Sequence, residues 1–258
     1  MVTILMGHND ICTHPCNTSY TAFDASPPFY MKRIAEALDL LRDQLPKTFV
    51  NFLPVLDITI TLDMYDKHPF CHVGHSWVCP CLFDGPPFNG FGGKALTRNQ
   101  MKHLLSGYME QMYTLVNSGR SFVKEINLNS NILILRYEKD DFTVVIQPAF
   151  TNLNLFYKPR TSPNKRPDID YSYFAPDCLH PSQKLHALMA RALWNNILQP
   201  VNKKTTGWKP DPPFLCPTPD SPYLSTRLNS AKANMTSMTS DYIQYMNHVR
   251  SARIRCHM

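Results

Sequence analysis

Apolar residues along the chain fall into two patterns: short continuous runs, and longer stretches spaced at helical intervals. Val2 to Met6 is a run with β-branched Val2 and Ile4, closed at once by Gly7-His8-Asn9-Asp10. That is the pattern of a buried strand delivering polar groups to the mouth of an α/β sheet. A loop with Cys12 and Cys16 follows. Ser26 then caps a helix predicted from about Pro27 to Leu45, with proline in its first turn, an inner face of Phe29, Ile34, Ala37, Leu38 and Leu41, and Pro46 as its stop. Thr48 to Ile60 (TFVNFLPVLDITI) reads as a second buried strand running into a loop, and Phe142 to Gln147 (FTVVIQ) as a third, ended by Pro148. Long helices are predicted from about Leu96 to Val116 and from near Pro181 to Leu198. Residues 66–93, dense in Pro, Gly, Cys and His, read as irregular, and the last sixty residues read as a wrapping tail.

Strands alternating with helices predict an α/β fold with a parallel sheet. Only three core strands are visible, fewer than such sheets normally carry.

Composition narrows the setting. At 258 residues and 43% hydrophobic, the chain suits one large domain or two small ones. No stretch approaches the ~20 apolar residues that span a bilayer, and the N-terminus lacks the basic start of a signal peptide. The net charge of +6 is spread thinly, apart from Arg250, Arg253 and Arg255, and no basic patch is interleaved with aromatics, so nucleic acid is not expected as a partner. Eight cysteines in connecting segments, with acceptor triplets at Asn17-Thr18-Ser19 and Asn234-Met235-Thr236, favour an oxidising, extracellular setting.

Three stretches carry candidate chemistry. In YFAPDCLHPSQKLHALMARALWNN (173–196), Asp177 and His180 share a proline-bracketed loop before a helix. An aspartate three residues ahead of a histidine can hold one imidazole nitrogen and leave the other as a general base. The plainer alternative is a capping aspartate with a surface histidine. At Gly7-His8-Asn9-Asp10 a side-chain amide can donate to a developing oxyanion, or the residues simply form a turn. HPFCHVGHSWVCPC (68–81) holds three histidines and three cysteines, a composition that invites zinc. It contains no C-x-x-C pair, and structural disulfides are the expected reading, with no metal.

Taken together, G-x-N-D after a strand and D-x-x-H before the last helix resemble the third and fifth blocks of the GDSL (SGNH) hydrolases. FTVVIQP (142–148), YFAPDCLHPSQ (173–183) and MARALWNNILQPVNKKTT (189–206) are similar to the membrane-associated phospholipase B members of that family, as are Val50–Asp57, Cys79-Pro80-Cys81 and Cys216-Pro217-Thr218. The resemblance covers most of residues 2–120 and 137–230. It implies a three-layer α/β/α sandwich, with His180 as general base, Asp177 orienting it, and Asn9 donating its amide to an oxyanion hole that Gly7 makes reachable by a close turn. It further implies hydrolysis of phospholipid or lysophospholipid acyl esters at a membrane surface, without cofactor or metal, in an extracellular or cell-surface location.

In that family a G-D-S block carrying the nucleophilic serine, and a second block carrying a glycine, precede G-x-N-D. Neither is found here, and Ser106, Ser118 and Ser182 do not fit the first. The expectation is therefore a truncated chain with no nucleophile of its own, its sheet lacking its first strands, the apolar edge of the first strand exposed, and the chain inactive and aggregation-prone alone. The alternative is a non-catalytic secreted relative that binds lipid or protein. Residues 1–206 are assigned to the partial hydrolase domain, with an apparent insert at 121–136, and 207–258 to a proline-rich tail. Disulfide connectivity stays open among Cys12, Cys16, Cys71, Cys79, Cys81, Cys178 and Cys216. Cys12 with Cys16 and Cys178 with Cys216 are the expected pairs.

Overall fold

A computed structural model describes residues 1–21, 23–65, 69–83, 94–117, 136–160, 167–207, 213–219 and 221–232. The insert expected at 121–136, apart from Arg136, and the acceptor site at Asn234 lie outside the described residues.

Four strands form one sheet in the order β1-β2-β4-β3: β1 (Val2–Ile4), β2 (Thr48–Phe52), β3 (Glu138–Lys139) and β4 (Phe142–Ile146). The three strands expected from the apolar runs pair in parallel, Val2 beside Val50 and Val50 beside Val144. Two departures stand out. β3 is an added antiparallel edge, too short and polar to leave an apolar signal. β2 stops at Phe52 rather than reaching Ile60: Leu53 still donates its N–H to Ile4, but Pro54 has none to offer and the ladder ends. Beyond it, Ile58–Thr61 form a 3₁₀ turn capped by Asp57, which leads into a short helix, α3 (Leu62–Tyr65).

Alternation along the strands sorts the layers. Val50, Phe52, Phe142, Val144 and Ile146 face two long helices, α2 (Pro27–Gln44) and α5 (Arg98–Asn117), through Ile34, Leu38, Met101 and Met112. On the opposite side Leu53, Ala149 and Phe150 pack on Ala192 of α6 (Gln183–Leu198). The result is the three-layer α/β/α arrangement. A polar rung also crosses the α6 side. The Gln147 amide donates to Asn51 Oδ1 at 2.9 Å, and Asn51 donates to Thr3 Oγ1 at 3.3 Å, with Asn51 and Gln147 both fully buried.

Two helices occupy segments read from sequence as loop. α1 (His8–Thr13) begins at once after Gly7, and α4 (Pro69–Val78) fills part of the stretch expected to be irregular. Neither is long enough to persist alone; each is held by cross-links. Among the described residues the disulfides are Cys12–Cys79, Cys16–Cys81 and Cys71–Cys178. This corrects both expected pairs. Cys12 and Cys16 lie on and just after one short helix and each reaches across to the segment after α4, while Cys178 is bonded to Cys71, leaving Cys216 exposed elsewhere.

The described part of the tail runs along α6. Trp194 donates its indole N–H to Leu215 O at 2.7 Å, Ser225 N–H bonds Ile197 O at 3.0 Å, and a short helix α7 (Arg227–Lys232) follows. No described helix is long and apolar enough to cross a membrane.

Candidate active site

The site lies where β1 and β2 deliver the chain to one end of the sheet. Gly7 has φ of 103°, and a Cβ there would meet Val55 Cγ2 at 2.9 Å and the Tyr30 ring at 3.0 Å. Only glycine satisfies both the left-handed backbone and the contact. Tyr30 closes the corner by donating its hydroxyl to Met6 O at 3.0 Å, and burial pushes that phenol's pKa up. The turn starts α1 so abruptly that Asn9 sits in its first helical turn, exposed.

The second part is the loop from Phe174 to Ser182. It is closed by Ala175 N–H to His180 O at 2.8 Å and Ser182 N–H to Tyr173 O at 3.0 Å. Within it Asp177 Oδ1 accepts the backbone N–H groups of Leu179 and His180, each at 3.0 Å, and Oδ2 lies 2.5 Å from His180 Nδ1. Burial raises the Asp177 pKa, but the His180 ring and the two backbone donors outweigh it, and the carboxyl is held below its ordinary range. A carboxylate only accepts, so Nδ1 carries the proton facing it and Nε2 is left as the basic nitrogen. The His180 side chain is 61% exposed, ready for a reacting group. Among the described residues no serine hydroxyl is hydrogen-bonded to His180 Nε2.

Asn9 and His180 line one cavity of about 380 Å³, together with Leu5, Leu56, Phe156 and Met189. The structure thus brings the sequence-predicted Asn9 and His180 to one cavity wall, with Asp177 behind His180 and Gly7 beneath Asn9. The predicted cysteines lie outside this wall except Cys12. Cys71, Cys79 and Cys81 are all bonded as disulfides, so the 68–81 stretch supplies no thiolate to a metal.

Two residues escaped the sequence reading. His8, between Gly7 and Asn9, also lines the cavity, and its Nε2 accepts the Leu56 N–H at 2.9 Å. Burial, and then the nearby His180, lower its pKa to about 4 despite Asp10, so it is neutral at pH 7. His75, in α4, is fully buried behind the loop, its Nε2 2.9 Å from Cys178 O. Helical spacing of Cys71, Gly74 and His75 was the available signal, masked by a composition that looked irregular.

With this geometry in place, sequence comparison is decisive: residues 1–193 match the family model of GDSL-like lipase/acylhydrolases. The chain belongs to the GDSL-like lipase/acylhydrolase family. Its similar relatives include the membrane-associated phospholipase B1 of Mus musculus, 33% identical over 246 residues and 93% of this chain, and that of Homo sapiens, 32% identical over 240 residues and 92% of this chain. The GDSL chain spans only 14% of the length of either relative. No solved structure gives a significant match. The family is one of lipases and acylhydrolases, and the sandwich described above is its fold.

Proposed function

We propose that this chain forms part of a phospholipase B-like active site that hydrolyses acyl esters of phospholipids or lysophospholipids at a membrane surface. The observation that carries the reading is the Asp177–His180 pair, tautomer fixed, on the wall of an apolar cavity that Asn9 shares. In this reading His180 Nε2 takes the proton of a serine hydroxyl as the oxygen attacks the ester carbonyl. Asp177 stabilises the imidazolium, and the Asn9 amide donates to the oxyanion of the tetrahedral intermediate. His180 then returns the proton to the departing alcohol. A water, deprotonated by the same nitrogen, releases the fatty acid and restores the serine.

The sequence has no G-D-S block, so the 258 residues by themselves are proposed to lack covalent catalysis, the serine being contributed by additional polypeptide. Three disulfides and the names of the relatives support an extracellular or cell-surface setting.

The test is intact-mass analysis after fluorophosphonate treatment of this chain, beside a version extended upstream in its gene. The expected result is an adduct on the extended protein only, lost in His180→Ala. Lipid binding with no adduct on either protein would favour a non-catalytic lipid-binding relative. An adduct on the short chain would overturn the assignment of the nucleophile.

A further inference from the structure

Residues 69–83 touch both halves of the site. At one end Cys79 and Cys81 are bonded to Cys12 and Cys16, on and just after α1, the helix that carries Asn9. At the other end α4 turns one stripe, Cys71, Gly74 and His75, toward the loop that carries Asp177 and His180; these positions share a helix face by their spacing. Each residue of the stripe makes a different contact. Cys71 is bonded to Cys178. Gly74 lets the Asp177 backbone lie against the helix, since a Cβ at this glycine would stand 2.7 Å from Asp177 Cα and 2.8 Å from its carbonyl oxygen. His75 Nε2 lies 2.9 Å from Cys178 O; a carbonyl only accepts, so this nitrogen donates.

Cys71 and His75 converge on Cys178, between Asp177 and His180, and its φ is 59°. An L-residue other than Asn, Asp or His seldom takes that conformation unless its surroundings impose it. Here it permits the tight turn in which one carboxylate accepts both following N–H groups and still meets the imidazole. His75 itself is pinned: its ring stacks on Phe83 at 4.2 Å, and its Nδ1 is buried with no hydrogen-bond partner.

We propose that residues 69–83 are a clamp that sets the Asp177–His180 pair against Asn9, with His75 as its positioning residue acting through the Cys178 carbonyl. The inference rests on the reading of Asp177, His180 and Asn9 given above, but its first test needs no turnover.

Hydrogen exchange of the 258-residue chain reads the Leu179 and His180 amides, the two that donate to Asp177. His75→Phe keeps the ring and removes the donor; His75→Gln places an amide N–H near the lost Nε2. The expected result for His75→Phe is about tenfold or more faster exchange at Leu179 and His180 than at the β4 amides, relative to wild type, with Gln restoring most of the protection. Gly74→Ala, which pushes on Asp177 directly, should give the same local pattern, and stands in should His75→Phe fail to fold. Equal change at β4 and at the loop, or none at the loop, overturns the clamp. In the extended protein, fluorophosphonate labelling should slow about tenfold or more in His75→Phe through the maximal rate rather than the half-saturating concentration. Absence of labelling in every extended protein counts against the hydrolase reading, whereas the exchange pattern alone decides the clamp.

Discussion

The costs of removing the described disulfides one at a time should differ by far more than their spacing in sequence implies. Cys16–Cys81 joins residues 65 apart and Cys71–Cys178 residues 107 apart, so loop entropy taken separately makes them similar. The bridges are not independent. With Cys12–Cys79 closed, Cys16–Cys81 completes a ring of only eight residues, 12–16 and 79–81. Among the described residues no other bridge shortens the loop between Cys71 and Cys178. Chain-entropy estimates give about 2.5 kcal/mol for the small ring and about 5 kcal/mol for the large one. Burial does not blur the comparison, because Cys16, Cys81, Cys71 and Cys178 are all within 7% of fully buried and leave similar holes as alanine. The assay is equilibrium urea unfolding of Cys16→Ala/Cys81→Ala and Cys71→Ala/Cys178→Ala without reductant, the m values checked for constancy. The second pair should be less stable than the first by about 2 kcal/mol. Equal losses, or a greater loss in the first pair, would refute the claim that nested loops set the ranking.

Gly7→Ala should destabilise by about 2–4 kcal/mol, from a left-handed backbone and a contact on Val55 and Tyr30, measured by the same unfolding assay. Folded His8 releases its proton at about 4 against an ordinary 6.5, so the unfolded chain binds more protons between those values, and stability should fall as pH drops from 6.5 to 4. The loss is about 3 kcal/mol, and His8→Gln, which keeps an acceptor for Leu56, should flatten that part of the pH profile. Asn51→Leu strands the buried Gln147 amide and should cost about 1–3 kcal/mol, whereas adding Gln147→Leu should recover part of it in a double-mutant cycle.

The strands and long helices were legible because their apolar runs exceed what a turn can carry, and because Ser26, Pro27, Pro46 and Pro148 mark their ends. Asp177 and His180 were legible for a local reason: three residues suffice to close their hydrogen bond. What sequence concealed is non-local. HNDICT and PFCHVGHSWV are poor helix formers by composition, and their helices exist because Ile11, Cys12 and Cys71 are anchored to partners far along the chain. The same distance hid the disulfide pairs and His75, whose target is 103 residues away.

The buried polar rung of Thr3, Asn51 and Gln147 has a consequence beyond its modest net energy. Parallel strands this rich in valine, isoleucine and phenylalanine tolerate sliding by two residues, because every apolar side chain then returns to its own layer. Such a slip of β1 along β2 sets Asn51 Nδ2 against Met1 or Leu5 in place of Thr3, leaving that donor sealed in hydrocarbon without its acceptor, while Oδ1 keeps Gln147. One misaligned pair therefore loses what the apolar residues alone could not distinguish. Since Gly7 and Asn9 follow β1 by only a few residues, the same amide that vetoes the slipped sheet also holds Asn9 in place at the cavity it shares with His180.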